Sequence, residues 1–310
     1  MTTQTTTSTK QLTWRAARRA RSTALERSRS RAGRVMMLPA TALVVGVLGV
    51  PIGQAVYYSM TQWNGVTSTW IGPSAYTHTF RDPTFWRVME NNALLLLAVP
   101  VAVLAPLGLA FLLNEKAPGW KVFRSIYFLP TAISWVVIGM VALRFFARNG
   151  SLNGLLSAVG LGFVHTNLLS NQHQALLAVA LTFIWSMVGT NTIIFLTGIA
   201  TLDPSLSEAA VVDGANAWQR LIHITMPQLR RFILFASILT MISAFTALFS
   251  LIFVMTGGGP GYGTTTLEFY VYQNAFSQGD FGTGALLGVI LFAIMATVGL
   301  IQVRLLRTGD

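Results

Sequence analysis

The residues that most often carry out chemistry in proteins are few in this chain and far apart. The 310-residue sequence has no cysteine, which excludes disulfides, thiolate metal sites and cysteine nucleophiles. Acidic side chains number only ten, against 21 lysines and arginines. The four histidines lack the spacing of metal ligands, and we expect each to be an ordinary loop residue: His78, His165, His173 and His223. The sequence therefore predicts no catalytic centre, no metal and no cofactor in this chain.

The composition is typical of a membrane protein. Charged residues make up 10% of the chain, whereas soluble domains carry roughly 25%. Hydrophobic residues reach 53%, and so few charges cannot cover the surface of a soluble domain of this length. We therefore predict an all-α integral membrane protein.

Six segments are long and apolar enough to cross a membrane. A spanning helix needs about 20 predominantly apolar residues, because each residue adds about 1.5 Å and the hydrocarbon core is about 30 Å thick. The predicted spans are residues 35–60, 92–113, 122–145, 175–197, 232–256 and 284–305. Residues 35–306 form one transmembrane domain in this interpretation.

The basic residues predict how these spans are oriented. Seventeen of the 21 lysines and arginines lie in the two termini and in the second and fourth connections. The other four lie in or beside the first and third connections. Because positive charge is retained in the cytoplasm, both termini are predicted to be cytoplasmic. The expected location is a bacterial plasma membrane.

Residues 1–34 form a basic tail before the first span. The tail holds nine of the lysines and arginines and one acid, Glu26, and we expect it to be poorly ordered. A basic block beside an apolar segment attracts anionic lipid headgroups. Trp14 is the only aromatic residue in this tail, so the tail is not predicted to stack on the bases of a nucleic acid.

The predicted spans contain almost no ionisable residue. Arg124 and Arg144 lie near span ends, where long side chains reach the interface. Ion-coupled carriers commonly place a carboxylate or a histidine at mid-membrane to bind the coupling ion. We therefore expect a neutral transported solute and an energy source in another subunit.

The fourth connection, residues 198–231, starts with a helix signal. Asp203 offers a side-chain acceptor at the N-cap. Pro204 follows at the first helical position, where the N–H that proline lacks would have no partner within the helix. Ser205 with Glu208 offers a competing capping box two residues later. Gly214 suits the left-handed residue that closes a helix. A short cytoplasmic helix is predicted between these signals.

A second short helix is predicted after the glycine. It carries Trp218, Leu221 and Ile222, and Pro227 is expected to stop it. The resulting hairpin is too polar to span the membrane. Its apolar residues, with Val212, either contact a partner protein or pack on the chain's own helices.

This connection resembles the EAA loop of bacterial ABC-importer permeases. Glu208-Ala209-Ala210, Gly214 and the later Ile224-x-Met226-Pro227 stand at the family's spacing, with Met226 where leucine is usual. The triplet Asp213-Gly214-Ala215 followed by Trp218 is similar to the carbohydrate branch, which includes the maltose-type permeases. The segment from Thr256-Gly-Gly-Gly-Pro-Gly261 to Phe281-Gly282 also resembles sugar permeases.

The resemblance implies a fold, partners and a role. The fold would be that of a type I ABC importer permease, and the chain would be the permease subunit of an ATP-driven, binding-protein-dependent sugar importer rather than an enzyme. A second similar permease, two ATPase subunits that bind ATP and Mg²⁺, and an external sugar-binding protein would complete it. The residues that would couple to the ATPase are Glu208, Ala209, Ala210, Asp213, Gly214, Ala215, Trp218 and Pro227.

The same resemblance implies where a sugar would bind. In maltose-type permeases the sugar is held by the two helices that flank the coupling loop. The candidate contacts are Trp185, Ser186, Thr190, Asn191, Thr240, Ser243 and Thr246. An aromatic platform with hydroxyl and amide groups suits a sugar, but small polar residues also join membrane helices to one another.

Two alternatives stay open at this point. A permease for glycerol phosphate, an amino sugar or another small polar solute would need charged groups near its cavity, and this chain supplies none near the predicted cavity, although a partner permease could supply them. A polytopic membrane enzyme would need converging carboxylates or histidines. The acids predicted outside the cytoplasm are dispersed: Asp82, Glu90, Glu268 and Asp280.

Overall fold

A computed structural model describes residues 36–115, 127–161 and 167–307, with side chains to residue 304. The basic tail, Lys116, Lys121, Arg124 and His165 lie outside the described residues. The chain divides into two compact units, Met1–Tyr57 and Tyr58–Asp310, which we describe separately. The described part of the first unit belongs to helix α1, Met36–Tyr58, an apolar helix whose side chains are exposed along most of its length.

The second unit is mostly helical. A short antiparallel hairpin, β1 (Thr61–Trp63) and β2 (Ser68–Trp70), precedes the helices. The helices are α2 (Ser74–Arg81), α3 (Pro83–Leu96), α4 (Ala98–Asn114), α5 (Trp135–Phe146), α6 (Ser151–Ala158), α7 (Gln172–Ile199), α8 (Pro204–Val212), α9 (Ala217–Gln228), α10 (Arg230–Thr246), α11 (Leu248–Met255), α12 (Leu267–Tyr272) and α13 (Phe281–Arg307). Short 3₁₀ turns lie at Leu129–Ala132 and Leu168–Ser170, and a π turn lies at Gln273–Ser277.

The chain is mostly helical, in line with the predicted fold class, and the β1–β2 hairpin in the first connection is a local exception. The β1–β2 turn contains Asn64, whose side-chain oxygen accepts hydrogen bonds from the N–H groups of Val66 and Thr67 at 3.0 and 2.8 Å. Gly65 has a φ of 91°, a left-handed conformation that glycine adopts without a steric penalty. Asparagine followed by glycine is a common hairpin signal, and it explains why this segment departs from helix.

The described residues contain four helices long and apolar enough to cross a membrane: α1, the continuous pair α3–α4 (Pro83–Asn114), α7 and α13 up to Arg304. A fifth span is possible if α9 and α10, which are bent by 79° relative to each other, are counted together. The predicted third span falls partly outside the described residues, and its described part is a 3₁₀ turn followed by the 12-residue helix α5. The total of six spans therefore stays a prediction.

Two predicted spans differ in extent from the helices. The second begins at Pro83 rather than at residue 92, because Asp82 caps the helix by accepting a hydrogen bond from the Thr84 N–H at 2.8 Å. The fifth is interrupted by one residue, Ala247, which separates α10 from α11. The second helix is therefore longer than the predicted span, and the fifth predicted span is divided into two helices.

The core of the second unit lies where α4, α7 and α11 meet. Large buried side chains such as Leu107, Phe183 and Leu251 fill it, and small residues such as Ala102 and Ala178 allow close approach. Gly189 of α7 is a point of close approach, because a Cβ there would clash with the Tyr127 carbonyl oxygen. Small residues at such contacts are typical of helices packed within a membrane.

The segment between α11 and α13 is compact and held by polar contacts. Asn91 of α3 donates its amide hydrogens to the carbonyl oxygens of Tyr262 and Thr265 at 2.8 and 2.9 Å. The hydroxyl of Thr265 in turn donates to the Gly258 carbonyl oxygen at 2.9 Å. The glycine-rich turn is thereby fixed against α3 and shaped by its own side chains.

Glu268 is the buried acid of this segment. Burial raises the pKa of its carboxyl group to about 7, and both carboxyl oxygens are buried without a hydrogen-bond partner among the described residues. A buried carboxyl group favours its neutral form because the charged form loses its hydration. In the unfolded chain, in contrast, the pKa of Glu268 is near its ordinary value of 4.5.

This difference predicts a pH-dependent stability. Because the folded-state pKa is the higher one, the stabilisation is complete below pH 4.5 and is lost as the pH rises to about 7. The loss from this group is on the order of 3 kcal/mol. Thermal unfolding followed by tryptophan fluorescence should show Glu268→Gln more stable than the unaltered chain at pH 8, with the advantage disappearing near pH 4.5. An advantage independent of pH would contradict the assignment.

Candidate functional site

The hairpin between α7 and α10 comprises residues 200–229 and contains the residues predicted to couple to an ATPase. Its first helix, α8, begins as predicted at Asp203, whose carboxylate accepts a hydrogen bond from the Ser205 N–H at 3.0 Å. The same interaction lowers the pKa of Asp203. Pro204 occupies the first turn, so the competing capping box of Ser205 and Glu208 is not used.

The turn of the hairpin is closed by Gly214 as predicted. Its φ is 84°, and its N–H donates to the Val211 carbonyl oxygen at 3.1 Å. The next N–H, that of Ala215, reaches back to the Ala210 carbonyl oxygen at 2.9 Å. These paired bonds satisfy carbonyl groups that the end of α8 would otherwise leave unpaired. A Cβ at Gly214 would meet no atom within 4 Å, so its conformation, not lack of space, restricts this position.

The second helix, α9, starts with a capping box that the sequence analysis missed. Asn216 accepts a hydrogen bond from the Gln219 N–H at 2.9 Å, and the Gln219 side chain accepts one from the Asn216 N–H at 2.8 Å. The signal was present, because asparagine followed three residues later by glutamine is a variant of the capping box. The turn is therefore fixed on both sides, by a glycine that ends α8 and a box that begins α9.

The prediction that Pro227 stops α9 is wrong. The helix passes through a π segment, Leu221–Thr225, and ends at Gln228, one residue beyond the proline. Proline removes only its own N–H donor, and the Leu229 N–H still donates to the Thr225 carbonyl oxygen at 3.0 Å. The chain then bends by 79° into α10.

The hairpin carries four large apolar side chains that are exposed. We define the hairpin patch as Leu206, Val211, Val212 and Trp218. Val212 and Trp218 are 86% and 68% exposed, far more than side chains that pack on their own protein. Glu208 and Asp213 are also exposed, and Ala209 is more exposed than Ala210 and Ala215. Of the two possibilities that the sequence left open, the exposure of this patch favours contact with a partner.

The base of the hairpin contains an ion pair that the sequence did not indicate. Arg220 of α9 donates two hydrogen bonds to the Glu115 carboxylate at the end of α4, at 3.1 and 2.8 Å. The two residues are 105 positions apart. They border a cavity of about 390 Å³ that is also lined by Asp203, Ser207 and Glu208. No local pattern could have paired them.

Three of the predicted sugar contacts, Ser186, Asn191 and Thr240, are buried, and two of them join helices together. Asn191 of α7 donates to the Ala102 carbonyl oxygen of α4 at 2.7 Å and to the Thr240 hydroxyl of α10 at 2.9 Å. Ala102 lies four residues before Pro106, so its carbonyl oxygen has no helical donor and Asn191 supplies one. The hydroxyl of Ser186 donates to the carbonyl oxygen of Phe183 within α7 at 2.7 Å.

The other four predicted contacts are more accessible. Thr190 and Thr246 are exposed, and Trp185 and Ser243 are half-buried. Trp185 borders an apolar groove of about 320 Å³ with residues of α5 such as Phe145. Five residues separate Trp185 from Thr190, which places them roughly 140° apart around α7 at about 100° per residue. The structure therefore does not gather all seven residues around one cavity.

The described part of the chain contains no group of three or more histidine and acidic side chains that could hold a metal ion. The geometry instead consists of a helical hairpin with an exposed apolar patch, attached to a bundle of apolar helices.

Comparison with known proteins agrees with this description. Residues 74–308 match the family described as binding-protein-dependent transport system inner membrane component. The chain is 34% identical to the sulfoquinovosyl glycerol transport system permease protein SmoG of Agrobacterium fabrum, over 89% of this chain and 90% of the relative. It is 31% identical to the multiple sugar-binding transport system permease protein MsmF of Streptococcus mutans, over 82% and 88% of the two chains.

A solved structure shares the fold. It belongs to a bacterial ABC transporter involved in the import of the acidic polysaccharide alginate, and it superposes with a TM-score of 0.74. The match covers 91% of this chain and 96% of the other, at 23% sequence identity. The family match over most of the chain identifies the protein as a member of the family of inner-membrane components of binding-protein-dependent transport systems.

Proposed function

We propose that this chain is the permease subunit of an ATP-driven sugar importer. We also propose that its hairpin transmits the conformational change of an ATPase to the membrane helices. The observation that carries the proposal is the exposed hairpin patch. The hairpin that presents this patch has a fixed turn at Gly214 and bends sharply into α10. The family membership and the sugar-related names of SmoG and MsmF support the substrate class.

The proposal includes a topology. The chain crosses a bacterial plasma membrane six times in the arrangement of a type I ABC importer, with both termini in the cytoplasm. The distribution of lysine and arginine supports this orientation, because it places seventeen of 21 basic residues on the side of the hairpin. The basic tail contacts anionic lipid headgroups on that side.

The proposal also includes partners. A second, similar permease supplies the other half of the pathway, and two ATPase subunits bind ATP and Mg²⁺. An external binding protein delivers the sugar. A solved structure with the same fold is a bacterial alginate ABC transporter in complex with a periplasmic protein that holds an alginate pentasaccharide. The hairpin patch contacts the ATPase, and Glu208 provides a polar contact beside it.

The mechanism requires the hairpin to be stiff. ATP-driven closure of the ATPase subunits displaces the hairpin, and α8 and α9 move with it because the turn at Gly214 and the box at Asn216 fix their relative direction. The displaced hairpin acts on α7 and α10, which continue directly from its two ends. The membrane helices then alternate between inward-open and outward-open states, each with its own contacts to the sugar.

The sugar contacts are proposed for the accessible members of the predicted set. Thr190, Ser243 and Thr246 offer hydroxyl groups, and Trp185 offers an aromatic face. Asn191 and Thr240 are buried and hold α7, α4 and α10 together, and Ser186 is buried with its hydroxyl bonded within α7. Charged carbohydrates are a second candidate class, because the same fold serves the import of the acidic polysaccharide alginate.

Reconstitution tests the proposed function. The permease pair, the ATPase and the binding protein are assembled in liposomes, and the binding protein is first screened against neutral and charged sugars. ATP-dependent accumulation of the sugar it retains is the expected result. Accumulation that needs no ATP, or that follows a proton or sodium gradient, would overturn the proposal.

A further inference from the structure

The ion pair at the base of the hairpin connects the two hairpin helices to a helix that is distant in sequence. The guanidinium group of Arg220 in α9 contacts both oxygens of Glu115, at the end of α4, at 3.1 and 2.8 Å. It also donates to the hydroxyl of Ser207 in α8 at 3.2 Å. A single side chain thus joins both arms of the hairpin to the helix pair α3–α4.

The surroundings of Arg220 restrict its movement. Its side chain is only 12% exposed, and that of Glu115 is 32% exposed. The guanidinium carbon also lies 5.8 Å from the centre of the Phe111 ring, a distance at which a cation is attracted to the ring face. A forked pair of charge-assisted bonds fixes direction as well as distance, which a single contact does not.

A second ion pair in the chain shows what the first one adds. Arg87 and Glu90 are also 2.8 Å apart, but they lie three residues apart on one turn of α3. That pair connects α3 to itself and is more exposed, whereas the Arg220–Glu115 pair connects the hairpin to another helix.

The helix that Glu115 ends is central to the bundle. Helix α4 packs along α7 in the core, and its Ala102 carbonyl oxygen is the acceptor for Asn191. A displacement of Arg220 is therefore passed to α4 directly, in addition to the covalent route through α7 and α10. Without the pair, the hairpin keeps its two chain connections and the packing of Leu202, Leu221 and Met226 against the core, none of which fixes direction as a forked ion pair does.

We propose that Arg220 is a positioning residue that makes the hairpin and α4 move as one body, so that ATP hydrolysis is converted into movement of a helix not covalently adjacent to the hairpin. This inference rests on the proposed function and specifies one part of it. Arg220 contacts no substrate, and its role lies in coupling rather than in binding sugar or ATP.

The test uses charge reversal in the complete reconstituted importer. The variants are Arg220→Glu, Glu115→Arg and the two together, and Glu90→Gln is the control that breaks the local pair. Three quantities are measured: co-purification of the ATPase, ATP hydrolysis, and sugar accumulated per ATP hydrolysed. Each single reversal places like charges at the base of the hairpin, while the double reversal restores an opposite pair.

The expected result is a separation of transport from hydrolysis. Each single reversal should keep the ATPase bound but lower the sugar accumulated per ATP by about tenfold, and the double reversal should recover at least about a third of it. Glu90→Gln should match the unaltered importer. Single reversals with an unchanged ratio, or a double reversal that recovers nothing, would overturn the inference.

If a charge reversal prevents assembly, a milder variant still tests whether Arg220 couples the hairpin to α4. Arg220→Lys keeps the charge but cannot form the forked contact, so the ratio should fall while assembly is kept. An unchanged ratio in Arg220→Lys would then reject the inference. Failure of the proposed function is distinguishable, because the unaltered importer would itself show no ATP-dependent uptake.

Discussion

Replacing Gly214 with proline is expected to abolish ATP-driven uptake while leaving membrane insertion intact. Proline fixes φ near −65°, whereas Gly214 has a φ of 84° and uses its N–H to bond the Val211 carbonyl oxygen. The variant loses both the conformation and the donor, so α8 and α9 can no longer meet at their present angle. We expect uptake in reconstituted liposomes to fall by about a hundredfold or more, while ATP hydrolysis continues or becomes independent of the binding protein.

The chain contains a matched control for this variant. Gly160 ends α6 with a φ of 82°, its N–H donates to the Ser157 carbonyl oxygen at 3.1 Å, and a Cβ there would meet no atom within 4 Å. The N–H of Leu161 reaches back to Leu156 as that of Ala215 reaches back to Ala210. Gly160→Pro therefore makes the same local change outside the hairpin. Equal loss in both variants, or normal uptake in Gly214→Pro, would contradict the coupling role.

Replacing Asn191 with leucine is expected to lower the stability of the folded chain by several kcal/mol. The variant removes the donor to the Ala102 carbonyl oxygen and the partner of the Thr240 hydroxyl, both in the core. A buried polar group left without a partner costs about 1–3 kcal/mol, so two of them lower the free energy of unfolding by several kcal/mol. The measurement is the temperature of thermal unfolding in detergent, followed by tryptophan fluorescence.

A second substitution separates this explanation from simple misfit of leucine. In Pro106→Ala the new N–H can donate to the Ala102 carbonyl oxygen, as in an uninterrupted helix. Asn191→Leu should therefore cost markedly less in the Pro106→Ala background than in the unaltered chain. An equal cost in both backgrounds would show that the Asn191 amide does not compensate for the proline.

The sequence predicted the local features of this protein well. The apolar stretches indicated α1, α3–α4, α7 and α13, because hydrophobicity over about 20 residues depends on neighbours in the chain alone. The start of α8 at Asp203 and its end at Gly214 followed from the cap residues for the same reason. Pro227 was misjudged because a proline near a helix end can be accommodated by a π segment and a bend.

The features missed by sequence reasoning depend on distant contacts. Nothing near Arg220 indicates that Glu115 is its partner, since the pair forms only when α9 returns to the end of α4. Asn191 was predicted as a sugar contact because an amide at membrane depth suits a sugar, yet its amide donates to two neighbouring helices. The free carbonyl that Pro106 creates was recognisable, but the donor that would satisfy it was not.

The most direct test of the central claim is a cross-linking experiment at the hairpin patch. The chain has no native cysteine, so Trp218→Cys or Val212→Cys introduces a single attachment point for a benzophenone maleimide. Val159→Cys, at a side chain that is 70% exposed beyond the end of α6, is the control. Irradiation of the assembled importer should cross-link the ATPase subunit to positions 218 and 212 and not to position 159. No ATPase adduct at positions 218 and 212 in a properly assembled importer, or equal adducts at all three positions, would contradict the account.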